Sequence, residues 1–168
     1  MSNIRLSIVI PCYNESKNLP LLIDRINKSF INTSTEVILV DNGSTDKSSE
    51  LIYKLLKGNN ICRSIRIEKN IGYGYGILKG LESSKGKILS WTHADMQTDP
   101  KDCLKGLKLF DLYGENIFVK GIRKGRSNRD NFFTVGMSFF EAIILGKFMW
   151  DINAQPTMFS STTFKKWL

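Results

Sequence analysis

Residues 88–100 read ILSWTHADMQTDP, so an apolar run passes directly into a cluster of oxygen-bearing side chains. A short apolar run bounded by polar residues is typical of a buried strand, which we expect near residues 87–91. In an open α/β sheet, ligands bind at the carboxyl ends of the strands. Asp95 and Gln97 follow this strand and offer oxygen atoms of the kind that Mg²⁺ binds. The segment predicts a metal and phosphate site, and the competing interpretation is an Asp that forms only a turn or a helix cap.

Two other apolar runs end in polar clusters of the same kind. LSIVI at 6–10 continues into PCYNE at 11–15, and VILV at 37–40 continues into DNGSTD at 41–46. Strand-like runs alternate with segments of helical period along most of the chain. Repeated βα units predict an α/β fold with a mainly parallel sheet and helices on both faces. The three polar strand ends are then expected to face one crevice.

The hydrophobic periodicity also predicts the order of the elements. The expected strands cover residues 5–10, 36–40, 65–68, 87–91 and 117–122. A helix is expected after each of the first four strands, and a further helix, capped at its start, is expected over residues 160–168. The first helix has the clearest pattern, and its buried face is expected to comprise Leu19, Leu22, Ile23, Ile26 and Phe30.

Composition and charge bound the class of protein. The chain has 168 residues, of which 42% are hydrophobic and 24% charged, and these values predict one soluble globular domain. The net charge of +8 favours an anionic partner, such as nucleic acid, a phosphorylated small molecule or an acidic membrane surface. The 3 cysteines form no C-x-x-C pair, which argues against a disulfide framework or a zinc site and favours a cytoplasmic location. No apolar run reaches the ~18 residues of a transmembrane helix.

Five segments, taken together, carry a resemblance to a known family. They are SIVIPCYNE at 7–15, VDNGSTD at 40–46, NIGYG at 70–74, ADMQ at 94–97 and GIR at 121–123. In this order they resemble the family 2 glycosyltransferases of the GT-A fold, and within them the dolichol- or polyprenyl-phosphate sugar transferases. The resemblance implies one GT-A catalytic domain over residues 1–168, cut short at its C terminus. Residues 1–125 are then expected to bind the nucleotide-sugar, and residues 126–168 to lie on the acceptor side.

The resemblance also implies an activity and a set of site residues. Such enzymes transfer a sugar from a UDP- or GDP-sugar with inversion at the anomeric carbon. The acceptor expected here is polyprenyl phosphate at the cytoplasmic face of the membrane. Asp95 and Gln97 are expected to hold Mg²⁺ or Mn²⁺, which stabilises the negative charge that develops on the departing diphosphate. The residues expected to bind the donor are Pro11, Tyr13, Glu15, Asp41, Asn70, Gly72, His93, Ala94, Asp95, Arg123 and Arg129.

Two positions depart from the family pattern. Many relatives have Asp where this chain has His93, and Asn42 stands where a second Asp is common. A histidine at that position is compatible with a preference for Mn²⁺, with a hydrogen bond to ribose or phosphate, or with weakened activity. The remaining interpretation is a histidine that only caps the strand end. An Asn keeps one acceptor oxygen and favours turns, so we expect Asp41 to remain the better nucleotide contact.

The segment after the fifth strand is basic and then apolar. Arg123, Arg126 and Arg129 can each bind phosphate through two nitrogen atoms, and Arg123 is a candidate catalytic residue. Residues 132–145 are apolar but too short to span a bilayer, so they form either a peripheral membrane contact or a buried or dimer-forming helix. Asp151 is a candidate base or acceptor-binding residue, although an ionised phosphate acceptor needs no base.

Three other functions compete with that of a glycosyltransferase. His93 and Asn42 are also compatible with a catalytically weak or silent nucleotide-sugar binding module. Residues 72–76 read GYGYG, which lacks the G-x-G-x-x-G spacing of a dinucleotide-binding oxidoreductase. A nucleic-acid binder is disfavoured, because the chain has none of the recognised motifs and no alternation of aromatic and basic residues on strands.

Overall fold

The computed structural model describes residues 4–122 and 154–168. In chain order these residues form β1 (Leu6–Cys12), α1 (Leu19–Phe30), β2 (Thr35–Asn42), α2 (Ser48–Leu55), β3 (Cys62–Ile67), α3 (Tyr73–Glu82), β4 (Ile88–Trp91), α4 (Asp102–Tyr113), β5 (Val119–Lys120), β6 (Thr157–Ser160) and α5 (Ser161–Trp167). Strands and helices alternate from β1 to β5, as the periodicity predicts.

The described strands form one six-stranded sheet in the order β3-β2-β1-β4-β6-β5. β1 pairs in parallel with β2 and β4, and β2 pairs in parallel with β3. β6 is antiparallel to both of its neighbours, β4 and β5. The predicted mainly parallel sheet is confirmed, and the antiparallel strand β6 is an addition that the sequence analysis lacks.

Helices cover both faces of the sheet because the central strands carry apolar side chains on both sides. Ile8 and Ile10 of β1 belong to a core cluster with residues of α1, α2 and α4. Val9 points the other way and belongs to a second cluster with residues of α3 and α5. The predicted placement of helices is therefore confirmed, and all five residues of the expected buried face of α1 are buried.

The ends of the sheet differ most from the predicted strands. β3 begins at Cys62 rather than Ile65, and from Arg63 onward its half-buried residues alternate with exposed ones. β3 forms an edge of the sheet. Arg63 and Arg66 interrupt the apolar run on which the prediction of this strand depended. β5 has only two residues, because it pairs with β6 at Val119 and Lys120 only.

The predicted cap of the last helix is confirmed. The hydroxyl oxygen of Ser160 accepts a hydrogen bond of 3.2 Å from the backbone N–H of Thr163, the usual geometry of a serine N-cap. None of the helices within residues 4–122 and 154–168 is long and apolar enough to cross a membrane.

Helix α3 packs closely against the sheet, because two of its glycines face the strands. A Cβ atom built on Gly80 would lie 2.9 Å from Val40 Cγ2, and it would also clash with Val9. One turn earlier, a Cβ atom on Gly76 would lie 3.3 Å from the side chain of Asn42. The close approach places the start of α3, at Tyr73, beside the carboxyl ends of β1 and β2.

A buried carboxylate ties the opposite ends of the strands together. Glu36 accepts hydrogen bonds from Ser7 Oγ at 2.6 Å, from the Lys85 backbone N–H at 2.7 Å and from Arg63 Nε at 2.8 Å. Burial by itself raises the pKa of Glu36, but the hydrogen bonds from Ser7, Arg63 and Lys85 outweigh it and lower the pKa below its ordinary value. Glu36 therefore joins β1, β2, β3 and the turn before β4.

We expect Glu36→Gln to reduce the free energy of unfolding at pH 7 by about 2 kcal/mol, since hydrogen bonds to a charged acceptor are lost. The folded-state pKa lies below the unfolded one, so the carboxylate stabilises the fold above its ordinary pKa of 4.5 and loses this effect as the pH falls through the folded value. Urea unfolding at pH 7 and pH 3 should show the difference shrinking at the lower pH. The exposed Glu115→Gln is the matched control, expected to change stability by less than ~0.5 kcal/mol.

Candidate functional site

The carboxyl ends of the parallel strands open on one cavity of about 290 Å³, called the first cavity below. Seven of the eleven residues predicted to bind the donor line it: Pro11, Tyr13, Glu15, Asn70, His93, Ala94 and Asp95. Three further residues, which the prediction did not include, complete the lining: Cys12, Asn42 and Tyr73. The structure therefore brings the polar ends of β1, β2 and β4 to one place.

The loops after β1 and β2 are joined by hydrogen bonds at the rim of this cavity. Asn14, which has a left-handed backbone with φ of 56°, accepts hydrogen bonds from the backbone N–H groups of Thr45 at 2.9 Å and Asp46 at 3.3 Å. Asp46 in turn accepts from the backbone N–H groups of Ser48 at 2.9 Å and Ser16 at 3.3 Å. Burial by itself raises the pKa of Asp46, but the hydrogen bonds from Ser48 and Ser16 together outweigh it and lower the pKa to about 2. The two loops therefore form one connected rim.

Asp41 and Asn42 have roles in the structure that differ from those expected from the sequence. Asp41 is buried, and its carboxylate accepts hydrogen bonds from Ser44 N–H at 3.0 Å, from Ser49 Oγ and from Arg66 Nη1 at 3.2 Å. These contacts hold the turn after β2, and Asp41 is not among the residues that line the first cavity. Its neighbour Asn42 lines the cavity instead.

The side chain of Asn42 is held by two acceptors. Its Nδ2 donates to Asn70 Oδ1 at 3.3 Å and to the carbonyl oxygen of Gly72 at 3.0 Å. Its Oδ1 is buried and has no hydrogen-bond partner among residues 4–122 and 154–168. A buried acceptor without a partner costs about 1–3 kcal/mol, so Asn42 Oδ1 is well suited to accept a hydrogen bond from a ligand. Gly72 lies next to the cavity, at the start of α3, without lining it.

The loop after β4 presents Asp95 to the first cavity. Asp95 Oδ1 accepts a hydrogen bond of 3.0 Å from the backbone N–H of Gln97, and Met96 between them has a φ of 63°. Asp95 Oδ2 makes no hydrogen bond within the described ranges 4–122 and 154–168. Gln97 is exposed and does not line the cavity.

The carboxylates in the first cavity fit a cation that is bound jointly by the protein and the substrate. No group of three or more His, Cys, Asp or Glu residues within residues 4–122 and 154–168 is placed to hold a metal ion by itself. Mg²⁺ needs only one or two protein carboxylates when phosphate oxygens and water complete its shell. Asp95 provides one carboxylate and Glu15 adds a second negative charge to the same cavity. A diphosphate entering this cavity would meet like charges, which a divalent cation would neutralise.

A second cavity of about 390 Å³ lies beside the first and shares Tyr73 and His93 with it. Its lining is Tyr73, Ile77, Trp91, His93, Ala154, Gln155 and Thr157. Tyr73 OH and His93 Nδ1 are 3.1 Å apart, and the two rings stack with centroids 5.2 Å apart. Gln155 Nε2 donates to Tyr73 OH at 2.9 Å, while Gln155 Oε1 is buried without a partner in the described part of the chain. Tyr73 and His93 line both cavities, and Gln155 lines the second one.

All three cysteines are buried as free thiols. Burial raises the pKa of Cys62 and of Cys103 to about 12, and it also raises the pKa of Cys12. A thiol that stays protonated is a poor nucleophile, so Cys12 contributes to the lining of the first cavity as a small apolar group.

Several predicted site residues lie outside the described residues. They are the candidate catalytic residues Arg123 and Asp151, the phosphate-binding candidates Arg126 and Arg129, and the apolar segment 132–145. Their roles stay predictions.

Comparison with known proteins identifies chains similar to this one. Two similar curated proteins are undecaprenyl-phosphate 4-deoxy-4-formamido-L-arabinose transferases. The one from Photorhabdus laumondii is 32% identical over 130 residues, which are 76% of this chain and 38% of the relative. The one from Aeromonas hydrophila is 35% identical over 100 residues, which are 57% of this chain and 30% of the relative. The chain thus spans less than two fifths of the length of these relatives.

Solved structures show the same fold at lower identity. A mannosyltransferase from Pyrobaculum calidifontis, in complex with GDP-Man and Mn²⁺, superposes with a TM-score of 0.70 at 18% identity, over 97% of this chain and 46% of that one. The glucosyl-3-phosphoglycerate synthase from Mycobacterium tuberculosis, in complex with Mn²⁺, UDP-Glc and phosphoglyceric acid, superposes with a TM-score of 0.69 at 21% identity, over 94% and 57% of the two chains. The predicted GT-A fold is confirmed.

The profile of glycosyl transferase family 2 matches residues 7–165, nearly the whole chain. This match covers β1, β2, β4 and β6 and every described residue that lines the first cavity. The resemblance found in the five sequence segments is therefore confirmed, and the chain belongs to glycosyl transferase family 2.

Proposed function

We propose that this protein is a metal-dependent, inverting glycosyltransferase that moves a sugar from a nucleotide-diphosphate sugar to polyprenyl phosphate. The observation that carries the proposal is the first cavity, where Asp95 meets the polar ends of β1 and β2. Family membership and the names of the similar curated proteins support it from outside the structure.

The first cavity offers what the nucleotide half of such a donor requires. Pro11 and the half-exposed ring of Tyr13 supply an apolar surface for a base or ribose, and Glu15 supplies an acceptor for hydroxyl groups. Asn42 Oδ1 adds a buried acceptor for an N–H or O–H group. Because uracil and guanine both carry N–H groups, these residues do not distinguish a UDP-sugar from a GDP-sugar. The similar solved structures include complexes with GDP-Man and with UDP-Glc.

Asp95 is the proposed ligand of Mg²⁺ or Mn²⁺. The side-chain amide of Gln97 is the second ligand that the sequence analysis predicts. When bound, the cation supplies a Lewis acid for the diphosphate leaving group. Asp95 Oδ1 already accepts a hydrogen bond from the backbone N–H of Gln97. This hydrogen bond fixes the carboxylate before the nucleotide-sugar binds, so less free energy is spent on reorganising it during the reaction.

The second cavity is proposed to hold the sugar and the reacting end of the acceptor. Trp91 and Ile77 provide an apolar wall, while Gln155 Oε1 and Thr157 provide polar groups for sugar hydroxyls. An acceptor phosphate oxygen attacks the anomeric carbon as the bond to the diphosphate breaks on the opposite face, so the configuration inverts. The acceptor oxygen is already ionised at neutral pH, and no side chain has to remove a proton.

Residues outside the described ranges complete this proposal. Arg123 and Arg129 are proposed to bind phosphate groups of the donor or the acceptor, where a guanidinium offers two parallel N–H groups. Asp151 is proposed as an acceptor-side residue. Residues 132–145 are proposed to contact the membrane surface, where a lipid-phosphate acceptor is held.

The proposal predicts a lipid-linked product. Purified protein incubated with undecaprenyl phosphate in detergent, Mn²⁺ or Mg²⁺, and radiolabelled UDP- and GDP-sugars should yield organic-extractable label with one of these donors. The same mixture without undecaprenyl phosphate is the control, since it measures hydrolysis alone. Donor binding without transfer under every condition would favour the silent binding module that His93 and Asn42 also allow. Binding to polynucleotides that falls steeply with salt would instead favour a nucleic-acid function.

A further inference from the structure

We propose that His93 is held as the neutral tautomer whose proton is on Nε2, so that it meets a bound nucleoside diphosphate as a hydrogen-bond donor and not as a cation ligand. The inference deepens the proposed function, because it concerns the position where many relatives carry the first acid of the metal motif. It rests on three side chains that the structure places in a row: Gln155, Tyr73 and His93.

The inference gives the hydrogen bonds along this row a single direction, from Gln155 through Tyr73 to His93. Gln155 Nε2 is a donor only, and it donates to the oxygen of Tyr73 at 2.9 Å. The Tyr73 hydroxyl has a single proton, and its other neighbour is His93 Nδ1 at 3.1 Å. If that proton is donated to Nδ1, then Nδ1 is an acceptor, and the proton of the neutral imidazole is on Nε2.

The surroundings keep Tyr73 in its protonated form. Burial raises the pKa of Tyr73, an effect that the negative charge of Asp95 reinforces and the hydrogen bond from Gln155 only partly offsets. The stacking of its ring on His93, with an angle of 23° between the planes, fixes the imidazole in the same orientation. Tyr73 and Gln155 are thus positioning residues that act through His93.

With the proton on Nε2, His93 takes one of the roles that the sequence leaves open, that of a hydrogen-bond donor. The lone pair of Nδ1 is used by Tyr73, and Nε2 carries a proton, so neither nitrogen has a free lone pair for a metal ion. Nε2–H has no partner within residues 4–122 and 154–168, and His93 lines both cavities. An N–H group at the boundary between the nucleotide and the sugar matches the anionic oxygens of a diphosphate. Cation binding then depends on Asp95 and on the substrate itself.

The chain contains 1 histidine, so its tautomer can be read directly. Long-range ¹H–¹⁵N correlation spectra, recorded on the full chain at a pH where the imidazole is neutral, distinguish the Nδ1–H and Nε2–H forms. We expect Nε2–H in the wild type, with Nδ1 shifted as a hydrogen-bond acceptor. Tyr73→Phe should abolish that shift of Nδ1, whereas Tyr75→Phe, two residues along the same helix, should leave the spectrum unchanged.

A second variant is designed to reverse the direction of the hydrogen bonds along the row. In Gln155→Glu the carboxylate accepts the Tyr73 proton, so the Tyr73 oxygen becomes the acceptor for His93 and the Nδ1–H form should become the major species. A wild type that is already in the Nδ1–H form, or a Gln155→Glu spectrum identical to that of the wild type, would overturn the inference.

The same spectra test the role of His93 toward a ligand. UDP with Mg²⁺ and GDP with Mg²⁺ are added separately, and with the nucleotide that binds we expect Nε2 to keep its proton and the proton resonance to move downfield. Loss of the Nε2 proton on adding the metal and nucleotide would mean metal ligation and would refute the inference. A failed transfer assay with these spectra as expected would refute only the proposed function, because the tautomer is measured without turnover.

Discussion

In an Asp95→Asn variant, sugar transfer is expected to fall by about 10²–10³-fold, the usual cost of removing one group that stabilises charge in a transition state. The change is chosen for its small effect on structure. Asp95 Oδ1 accepts the backbone N–H of Gln97, and the amide oxygen of Asn accepts the same hydrogen bond. The variant therefore keeps the loop after β4 and removes only the negative charge offered to the cation.

The measurement is the initial rate of transfer at saturating donor over a range of Mn²⁺ concentrations. Asp99→Asn is the matched control from the same loop, since Asp99 pairs with Arg25 at 2.9 Å and does not line the first cavity. We expect this control to retain the wild-type rate. A chelator should abolish wild-type transfer, and added Mn²⁺ should restore it. Rates for Asp95→Asn within about threefold of the wild type, or indifference to the chelator, would remove Asp95 from the mechanism.

Gly43→Ala is expected to reduce the free energy of unfolding by about 3 kcal/mol or more. Gly43 has a φ of 72°, which costs an L-residue about 1–2 kcal/mol. In addition, a Cβ atom at this position would lie 2.5 Å from the backbone nitrogen of Asn70. Backbone cannot move aside as a flexible side chain can, so the clash adds a cost like that of overpacking, about 1–3 kcal/mol.

Gly58→Ala separates the two contributions. Gly58 has nearly the same backbone angle, with a φ of 75°, but a Cβ atom there would meet nothing within 4 Å. We expect this control to cost only about 1 kcal/mol, and urea unfolding of both variants gives the difference. Equal costs would show that the close approach of Asn70 is easily relaxed. Because Asn70 lines the first cavity, the Gly43 variant should also bind nucleotide more weakly than Gly58→Ala.

The parallel part of the fold could be predicted because its signals are local. The apolar residues of α1 recur with the helical period, and all of those predicted to be buried are buried. β1 and β2 contain the apolar runs 8–10 and 37–40, as expected of strands covered on both faces. β6 has only four residues, and its partner β4 lies far away in the sequence, so nothing local marks it as a strand.

The position of the site could also be predicted, since the carboxyl ends of parallel strands meet at one edge of a sheet. The roles of Asp41 and Asn42 could not, because they depend on which face each side chain takes at the end of β2. Alternation puts Asp41 on the side of Leu39 and α2, where Ser49 binds it, and Asn42 on the side of Val40 and α3. The contact between Tyr73 and Gln155 joins residues 82 positions apart, and no sequence pattern indicates it.

The position of β6 inside the sheet has a consequence for folding during synthesis on the ribosome. β6 emerges after all the other described strands, yet it lies inside the sheet, where Ile88 of β4 must wait for Ser160 to pair with it. Until then the N–H and C=O groups along the edge of β4 that later faces β6 are unpaired, and they can form hydrogen bonds with a strand of another chain. While the residues between β4 and β6 are translated, this unpaired edge of β4 is a site at which the nascent chain can aggregate.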